Sequence, residues 1–530
     1  MTTMRGRPAI LVLALAALSA ITHWDALRGW WLWDDPQLLI EAIRQPALGT
    51  LFRPAEYAHL AGHTFTPLLV LSFKFDLAIA RMRPAFFYAH QVIALTLAAI
   101  LMYLLLRKYV ADAYAVVAAA IFLTSWAGVY AARMLMIRHY VEGLVFALAA
   151  MLLWSYGRRW VVAAAICYFL AMLSKEVYAP LPLIFAMQSR YAGRTWREIA
   201  REMVAPAMAA IIWLFWRWFM IGLVGPFDTA IGPRDVVALP VTLWGQLVGP
   251  GRVWAGIVWA AALLLVAILF LAAQRLRAIA FLFIVAVVVI VPIAPVISMM
   301  QWRYSFAFAA LSIASVAIAA GFAGRRWAIA VLIVLFATTA VNAIAQRRYY
   351  RQAMGRGIQR EGLYVWTQPA TAPTLSATAP PWYLGGLRWL REREGRGSGP
   401  RVIFSRYAVD AGDVDPRSVV ALDQRGRAVP VAWQRDAGKL DPNAPLTIEF
   451  SIRDHAAHWR FGPPGAHFVF VTYPDYSAIP IAAAGTQRVA AAREKQFFRI
   501  VRQEPDGRWT ISPVLPIPAD GASTVWKRSL

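Results

Sequence analysis

The stretch WLWDDP, residues 31–36, places two adjacent carboxylates among tryptophans, shortly after the first apolar run of the chain, Ala9–Ile21. Tryptophan is enriched where a membrane helix meets water, so this stretch indicates the end of a first membrane span. Two neighbouring carboxylates near an apolar phase favour a raised pKa for one of them or a bound cation. The alternative for Asp34 and Asp35 is a helix N-cap followed by proline.

The composition indicates a polytopic membrane protein. The chain has 530 residues, of which 60% are hydrophobic and 15% charged, and its mean hydropathy of +0.52 is too high for a chain with a water-soluble surface. The net charge of +24 comes from basic residues in short clusters between apolar segments. That arrangement is typical of membrane orientation and of contact with phosphates or lipid headgroups, not of nucleic-acid binding. The single cysteine, Cys167, excludes an intramolecular disulfide.

Apolar windows long enough to cross about 30 Å of hydrocarbon predict about eleven transmembrane helices. A cleaved signal peptide is the alternative for the first window, but Leu18 fits the cleavage pattern before Ala20 poorly, and we expect a retained span. The windows lie near residues 8–27, 88–106, 113–131, 140–156, 159–173, 177–189, 204–223, 254–273, 279–298, 306–323 and 327–345.

Basic residues in every second loop predict which ends of these spans face the cytoplasm. The loops between them, including the long segment 28–87 and the Pro- and Gly-rich segment 224–253, are expected to face outward. Arginines that follow the last span, such as Arg347 and Arg348, argue instead for a cytoplasmic tail. Large domains cross with little regard to charge, so we expect this tail outside. The cytoplasmic clusters are Arg5 with Arg7, Arg107 with Lys108, Arg158 with Arg159, Arg190 to Arg201, Arg275 with Arg277, and Arg325 with Arg326.

The composition changes after the last span. Residues 1–345 are predicted to form the transmembrane domain, 346–374 a basic juxtamembrane segment and linker, and 375–530 a mainly β soluble domain outside the cytoplasm. Alternating apolar and polar residues predict strands at Arg401–Tyr407, Leu446–Ile452 and His467–Tyr473. The turn sequence EPDG, residues 504–507, predicts a hairpin. Trp459 and Tyr476 would suit stacking on a sugar, but core packing is the expected role for most aromatic residues here.

Further ionisable residues are predicted at the same membrane face as the aspartate pair. The segment 28–87 has apolar residues at helical spacing, which is typical of helices lying along the membrane surface. Interfacial anchoring is the alternative for Lys175, Glu176 and Arg303, and snorkelling to the interface is the alternative for Arg217. Isolated histidines such as His63, His90 and His139 are expected to be hydrogen-bonded structural residues. The candidate residues are Arg138, Lys175, Glu176, Arg217, Arg303 and Tyr304.

Several short motifs occur in the order found in one family of membrane glycosyltransferases. They are Trp33-Asp34-Asp35, the segment TPLLVLSF at 66–73, Arg83-Pro84 followed by His90, LSKE at 173–176, and Arg303-Tyr304. Together they resemble the C-type glycosyltransferase (GT-C) fold, in particular bacterial relatives of the transmembrane O-mannosyltransferases that carry tetratricopeptide repeats. The family's histidine-rich stretch is replaced here by residues 126–133, and its "GRxD" appears only as Ile137-Arg138-His139-Tyr140. The resemblance covers roughly residues 10–340.

The resemblance implies transfer of a sugar from a polyprenyl-phosphate carrier to an acceptor hydroxyl of a glycan, lipid or protein, with inversion, at the outer face of a bacterial inner membrane. Asp34 is the expected base, and Asp35 would position the acceptor or hold a divalent cation, Mg²⁺ or Mn²⁺. Lys175 and Arg303, with Arg138 or Arg217, would bind the departing phosphate. The alternatives are a transporter or flippase of lipid-linked sugars, and a structural or sensory membrane protein.

Overall fold

The computed structural model describes residues 8–54, 65–222, 306–323, 326–349, 356–433, 439–454, 456–463, 467–488 and 496–529. The chain divides into two compact units, Met1–Ala353 and Met354–Leu530. The predicted windows 254–273 and 279–298 and the segment 224–253 lie outside the described residues. The same holds for His63, Arg303 and Tyr304.

The first unit is helical throughout its described part. The helices are α1 Pro8–His23, α2 Asp35–Arg44, α3 Ala47–Phe52, α4 Pro67–Ala80, α5 Pro84–Leu106, α6 Asp112–Thr124, α7 Trp126–Ala131, α8 Arg138–Ser155, α9 Val161–Ser174, α10 Leu181–Tyr191, α11 Trp196–Glu202, α12 Val204–Ile221, α13 Phe306–Ala323 and α14 Arg326–Tyr349. Short 3₁₀ turns extend α1 to Arg28 and precede α8 and α9.

Helices of the first unit have the length and composition of membrane spans. Within the described ranges, five stretches are long and apolar enough to cross a bilayer: Pro8–Arg28, Pro84–Leu106, Leu135–Ser155, Val204–Ile221 and Ala328–Arg348. Asp112–Thr124 and Ala309–Gly321 are shorter apolar stretches. The chain is therefore a helical membrane protein, and the predicted number of eleven spans stays a prediction.

The predicted span 113–131 is wrong as one continuous helix, because the backbone breaks at Ser125. This residue is extended (φ −64°, ψ 161°), and its hydroxyl accepts a bond from the Gly128 N–H at 3.2 Å, which caps α7. The same hydroxyl donates to the Phe122 carbonyl at 2.7 Å. Serine can offer such local bonds in place of the helix ladder, and here it divides the apolar window into α6 and α7.

The predicted cytoplasmic loops that lie in the described residues, near 107–110, 156–159 and 188–201, gather at one end of the helical unit. The Lys108 ammonium lies 3.7 Å from the ring centre of Tyr156, at the end of α8. The Gln188 amide donates to the Tyr109 hydroxyl at 2.9 Å. A Cβ on Gly321 would overlap the Val110 side chain, so α13 also reaches this end closely. We call it the basic end.

The opposite end of the unit holds the aspartate pair, and the last helix finishes there. Arg133 donates to Asp25 at 2.6 Å. Arg347, near the end of α14, lies 3.3 Å from the same carboxylate and donates to the Ile21 carbonyl at 2.7 Å. The chain therefore leaves α14 at the end where α1 leads into the first loop, away from the basic end.

In its described residues, the second unit combines three α-helices with three sheets. The helices are α15 Arg356–Thr367, α16 Pro381–Arg393 and α17 Tyr407–Asp410. The strands are β1 Thr374–Ser376, β2 Val402–Ile403, β3 Val419–Leu422, β4 Ala428–Pro430, β5 Leu446–Arg453, β6 Ala456–Gly462, β7 His467–Tyr473, β8 Ala478–Ile481, β9 Ala484–Arg488, β10 Phe497–Gln503, β11 Trp509–Ile511, β12 Leu515–Pro516 and β13 Ser523–Arg528.

The first sheet has the order β2-β1-β3-β4, with β1 parallel to both neighbours. The other two are antiparallel, β11-β10-β7-β8 with β12 beside β10, and β13-β5-β6-β9. Strand β5 alternates buried and exposed residues, and its buried Ile448 and Phe450 share a core with Phe468 of β7 and Phe498 of β10. Alternation of this kind is what packs the inner faces of two sheets together.

Several local predictions for this unit can be compared with the structure. The hairpin at EPDG is confirmed, because β10 and β11 pair across it and Gly507 adopts φ +80°. The strand predicted for Arg401–Tyr407 is reduced to β2, and Tyr407 begins a helix instead. The segment 346–374, predicted to be a basic juxtamembrane segment and linker, contains α15 and ends at the first residue of β1, which lies between β2 and β3 in its sheet. Tyr476 is fully buried, so it offers no stacking surface.

Candidate functional site

The tryptophan stretch before the aspartate pair is fixed to the start of α5. The Trp31 side chain is completely buried and meets Phe87 edge to face, with ring centres 5.0 Å apart. The Tyr88 hydroxyl donates to the Trp30 carbonyl at 2.7 Å. Gly29 passes so close to the Tyr88 ring that a Cβ there would lie 2.6 Å from it. These contacts set where the chain enters α2.

The two aspartates lie in different surroundings. Asp34 is half-buried and occupies the N-cap position of α2, but its side chain makes no capping hydrogen bond. Asp35 is completely buried, and its Oδ2 accepts the Leu32 N–H at 2.8 Å. Burial, with a smaller contribution from the charge of Asp34, raises the pKa of Asp35 to about 8. At neutral pH this raised pKa favours the protonated form of Asp35.

The backbone just before the pair is strained. Trp33 has φ +47°, in the left-handed region that bulky residues rarely adopt. Such a conformation persists only where the surroundings enforce it, and it is found disproportionately at functional sites. Here it joins the buried Trp31–Leu32 segment to the first turn of α2, and so it sets the direction of Asp34.

Arg138 is held in the interior by α4 and α5. It is fully buried, and its Nη1 lies 2.5 Å from Asp76 Oδ2. Its Nη2 donates to the Phe87 carbonyl at 2.8 Å, and its guanidinium lies 4.6 Å from the Phe73 ring centre. A guanidinium enclosed in this way holds the helices together at this end, and its charge is balanced by Asp76.

A hydrogen-bonded ring surrounds this ion pair, and sequence reasoning missed two of its members, Ser72 and Asp76. Asp76 Oδ1 lies 2.7 Å from His90 Nδ1. The Ser72 hydroxyl accepts from Arg138 at 3.2 Å and donates to Glu142 at 2.5 Å. Ser72 and Asp76 are four residues apart, on one face of an apolar helix. Asp76, an ionisable residue within an apolar helix, is the sequence feature that could have indicated this ring.

The LSKE motif lies beside the start of α8. Lys175 is buried, its ammonium binds Glu176 at 2.9 Å, and it lies 5.6 Å from the Tyr140 ring centre. The Tyr178 hydroxyl donates to the Tyr140 carbonyl at 2.5 Å. A Cβ on Gly143 would overlap the Tyr178 ring, so this close approach requires glycine. The motif therefore belongs to the same end of the unit as Arg138.

Arg217 and its tryptophan neighbour bring α12 to this end. The Trp216 indole donates to the Leu51 carbonyl at 2.7 Å and stacks on Phe52 with ring centres 5.3 Å apart. The Arg217 guanidinium donates to the Gly222 carbonyl at 3.0 Å. Burial of Glu176 opposes its ionisation, but the charges of Lys175 and Arg217 hold its pKa below the usual value.

The expected divalent cation finds little support in the side chains. Within the described residues, no group of three or more His, Cys, Asp or Glu side chains is arranged to hold a metal ion. Asp35 is completely buried, and Asp34 is the carboxylate next to it in the chain. A divalent cation at Asp35 therefore stays a prediction.

The class that the fold and site define is a helical membrane protein with carboxylates and cations gathered at one end, followed by a unit rich in β-sheet. No protein-family model matches the chain, and no curated protein matches it. Among solved structures the chain is similar to the archaeal oligosaccharyltransferase AglB from Archaeoglobus fulgidus, in complex with an inhibitory peptide and a dolichol-phosphate. The identity is 15%, the TM-score is 0.40, and the match covers 72% of this chain but only 63% of that one.

Proposed function

We propose that this chain is an integral membrane glycosyltransferase of the GT-C type. It moves a sugar from a polyprenyl-phosphate carrier to the hydroxyl of an acceptor, with inversion, at the outer face of a bacterial plasma membrane. The observation that carries the proposal is the half-buried Asp34 next to the completely buried Asp35, at the end of the helical unit where Lys175 and Arg217 also lie.

In this proposal Asp34 is the general base. Its carboxylate takes the proton from the acceptor hydroxyl while that oxygen attacks the anomeric carbon on the face opposite the carrier phosphate. Asp35 keeps its own proton below pH about 8, so the negative charge of the pair stays on Asp34. The strained Trp33 backbone and the clamped tryptophans fix the base relative to α5.

The departing group determines which other residues the reaction needs. A phosphate is stable as an anion, so no acid of the kind used in glycoside hydrolysis has to protonate it. Cations at the membrane surface stabilise the charge that develops on it. Lys175 and Arg217 supply such cations, and Arg303 and Tyr304 remain proposed contributors from outside the described residues. Arg138 supports the site from beneath, through its pair with Asp76.

A transporter or flippase of lipid-linked sugars is the second candidate. Buried ionisable residues in membrane helices often mark transport pathways, and Asp76, Arg138 and Glu142 are such residues. Here Asp76 pairs with Arg138, and Glu142 accepts a bond from Ser72, all within one ring. That arrangement favours a structural role over a path for a moving substrate.

Mass spectrometry of glycolipids, surface polysaccharides and envelope proteins tests the proposal. Cells with wild-type protein, a deletion and Asp34→Asn are compared. Loss of one sugar-sized mass increment in both mutants, with Asp34→Asn present at normal abundance, is the expected result. General bases contribute about 10²–10⁴-fold to rate, so the loss should be nearly complete. Accumulation of a complete lipid-linked sugar in the deletion alone, with Asp34→Asn behaving as wild type, would replace the transferase by the transporter.

A further inference from the structure

The second unit contains a groove of about 310 Å³, within the usual size range of small-molecule sites. It lies between α16, the end of β2, the turn that follows β7, and the start of β10. Both apolar and polar side chains line it. The lining residues that define its shape and chemistry are Gly385, Arg388, Phe404, Tyr473, Asp475 and Phe497.

Aromatic side chains supply the apolar part of the groove. Phe497 is 39% exposed, although it begins a strand whose next residue, Phe498, is completely buried. Tyr473 and Phe404 are half-buried beside it. An aromatic face carries partial negative charge and attracts the C–H groups of a flat, partly apolar ligand. The ring of a sugar presents such C–H groups on one face.

Two polar side chains of the groove, Arg388 and Asp475, have atoms that could form further hydrogen bonds. Arg388 donates through Nε to the Ser398 carbonyl at 3.3 Å, and its two terminal nitrogens have no hydrogen-bond partner among the described residues. Asp475 Oδ1 accepts from the Thr472 hydroxyl and from the Ser477 N–H, whereas its Oδ2 accepts nothing within the described part of the chain. Donors and an acceptor therefore border the aromatic faces without binding one another.

We propose that this groove binds a saccharide chain, the acceptor of the transferase. This identification of the occupant as the acceptor rests on the proposed function. Vicinal hydroxyls both donate and accept, so they match the guanidinium of Arg388 and the carboxylate of Asp475, while the sugar ring lies on Phe497 or Tyr473. A lipid chain would leave these polar groups unpaired, which is costly once water is displaced.

Gly385 offers a way to close the groove without disturbing the fold. It is exposed, it lines the groove from α16, and a Cβ added to it would meet nothing within 4 Å. Glycine is unfavourable inside a helix, so a larger residue should not destabilise α16. Gly385→Trp fills the groove, and Gly385→Ala is the matched control that leaves it open.

Saturation-transfer NMR on the full-length protein in detergent tests the proposal. The probe is a partial acid hydrolysate of the surface polysaccharides of the producing cells, and a peptide digest of their envelope proteins is the comparison. Saccharide signals should appear with the wild type and Gly385→Ala, and should fall about tenfold or more with Gly385→Trp at unchanged thermal stability. Equal signals in all three proteins, no saccharide signal with the wild type, or signals from the peptides alone would overturn the proposal.

Asp34→Asn separates this proposal from the proposed function. The variant should keep the full saccharide signal, because Asp34 belongs to the other compact unit. If Asp34→Asn still transfers sugar in cells while Gly385→Trp loses the saccharide signal, the transferase mechanism fails and the saccharide site stands. If transfer depends on Asp34 and no saccharide binds, the reverse holds.

Discussion

The two ends of the helical unit both contain arginine–aspartate ion pairs, but the pairs are exposed at one end and buried at the other. At the basic end, Arg107 and Asp112 form an ion pair whose side chains are both about one-third exposed. At the aspartate end, Arg138 and Asp76 form an ion pair with no exposure at all. An exposed pair contributes little to stability, whereas a buried pair is costly to form and very costly to break.

The difference shows which charges orient the protein and which charges build its site. Cations at the basic end contact water and lipid headgroups, and for membrane orientation their number matters more than their exact positions. Charges at the aspartate end fix one geometry, because each removed charge leaves a partner unpaired in an apolar interior. This difference between the two ends predicts distinct effects on topology, stability and substrate use.

Reporter fusions should distinguish the ends completely. A fusion after Gly193, at the basic end, and one after Arg277 should report the cytoplasm, because both follow arginine-rich segments. A fusion after the last residue, Leu530, should report the opposite side, because α14 ends beside Asp25. Paired alkaline phosphatase and green fluorescent protein reporters make the measurement. An external signal after Gly193, or a cytoplasmic one after Leu530, would contradict this topology.

Removing a charge should be far more damaging at the aspartate end. Arg138→Met should lower the free energy of unfolding by about 3–5 kcal/mol, because it leaves Asp76 buried without its cation. The matched control is Arg158→Met at an exposed position of the basic end, which should change little. Thermal unfolding in detergent, followed by tryptophan fluorescence, measures both. Adding Asp76→Leu to Arg138→Met should recover part of the loss, and equal effects of the two single changes would refute the contrast.

Lys175→Ala should affect use of the lipid donor. Loss of one charge-assisted bond to phosphate weakens binding by about 1.5–3 kcal/mol, so the apparent KM for the donor should rise about tenfold or more. Initial rates over a range of donor and acceptor concentrations separate the two KM values. Lys108→Ala, at the basic end, should leave both unchanged. An effect of Lys175→Ala on the acceptor alone would remove Lys175 from the phosphate site.

Asp35→Asn should change the stability in a way that depends on pH. The pKa of Asp35 rises from 3.8 to about 8 on folding, so the wild-type protein is most stable below pH 3.8 and loses stability as the pH rises toward 8. Asparagine does not ionise, so the variant should match the wild type near pH 4 and unfold at a clearly higher temperature at pH 8. Melting temperatures across this range test the expectation. Parallel curves for the two proteins would show that Asp35 is not the responsible group.

The sequence predicts the helices well because apolar windows are a local signal. Predicted windows such as 88–106 and 204–223 correspond closely to α5 and α12. The segment 28–87 contains the helices α2, α3 and α4 in its described part, and their position along the membrane surface stays a prediction. The break at Ser125 was missed, because one hydroxyl in a continuous apolar window decides it.

The site itself was only partly predictable, because its pairings join distant parts of the chain. Asp34, Lys175 and Arg217 stand out at the ends of apolar windows, and the structure places them at one end of the unit. Asp76, the partner of Arg138, lies 62 residues away in α4, and nothing in the local sequence indicates this pairing. Nor does local sequence show that Asp35 is the enclosed member of the pair, because burial depends on how α2 packs.

The break at Ser125 also bears on how the protein is assembled in the membrane. Helix α6 has 13 residues, so it spans about 20 Å, less than the roughly 30 Å of a bilayer core. A segment of that length is a weak signal for the insertion machinery. Its last residue, Thr124, binds Thr339 of α14 at 2.7 Å across 215 residues of sequence. This bond can therefore form only after the ribosome has synthesised α14, long after α6.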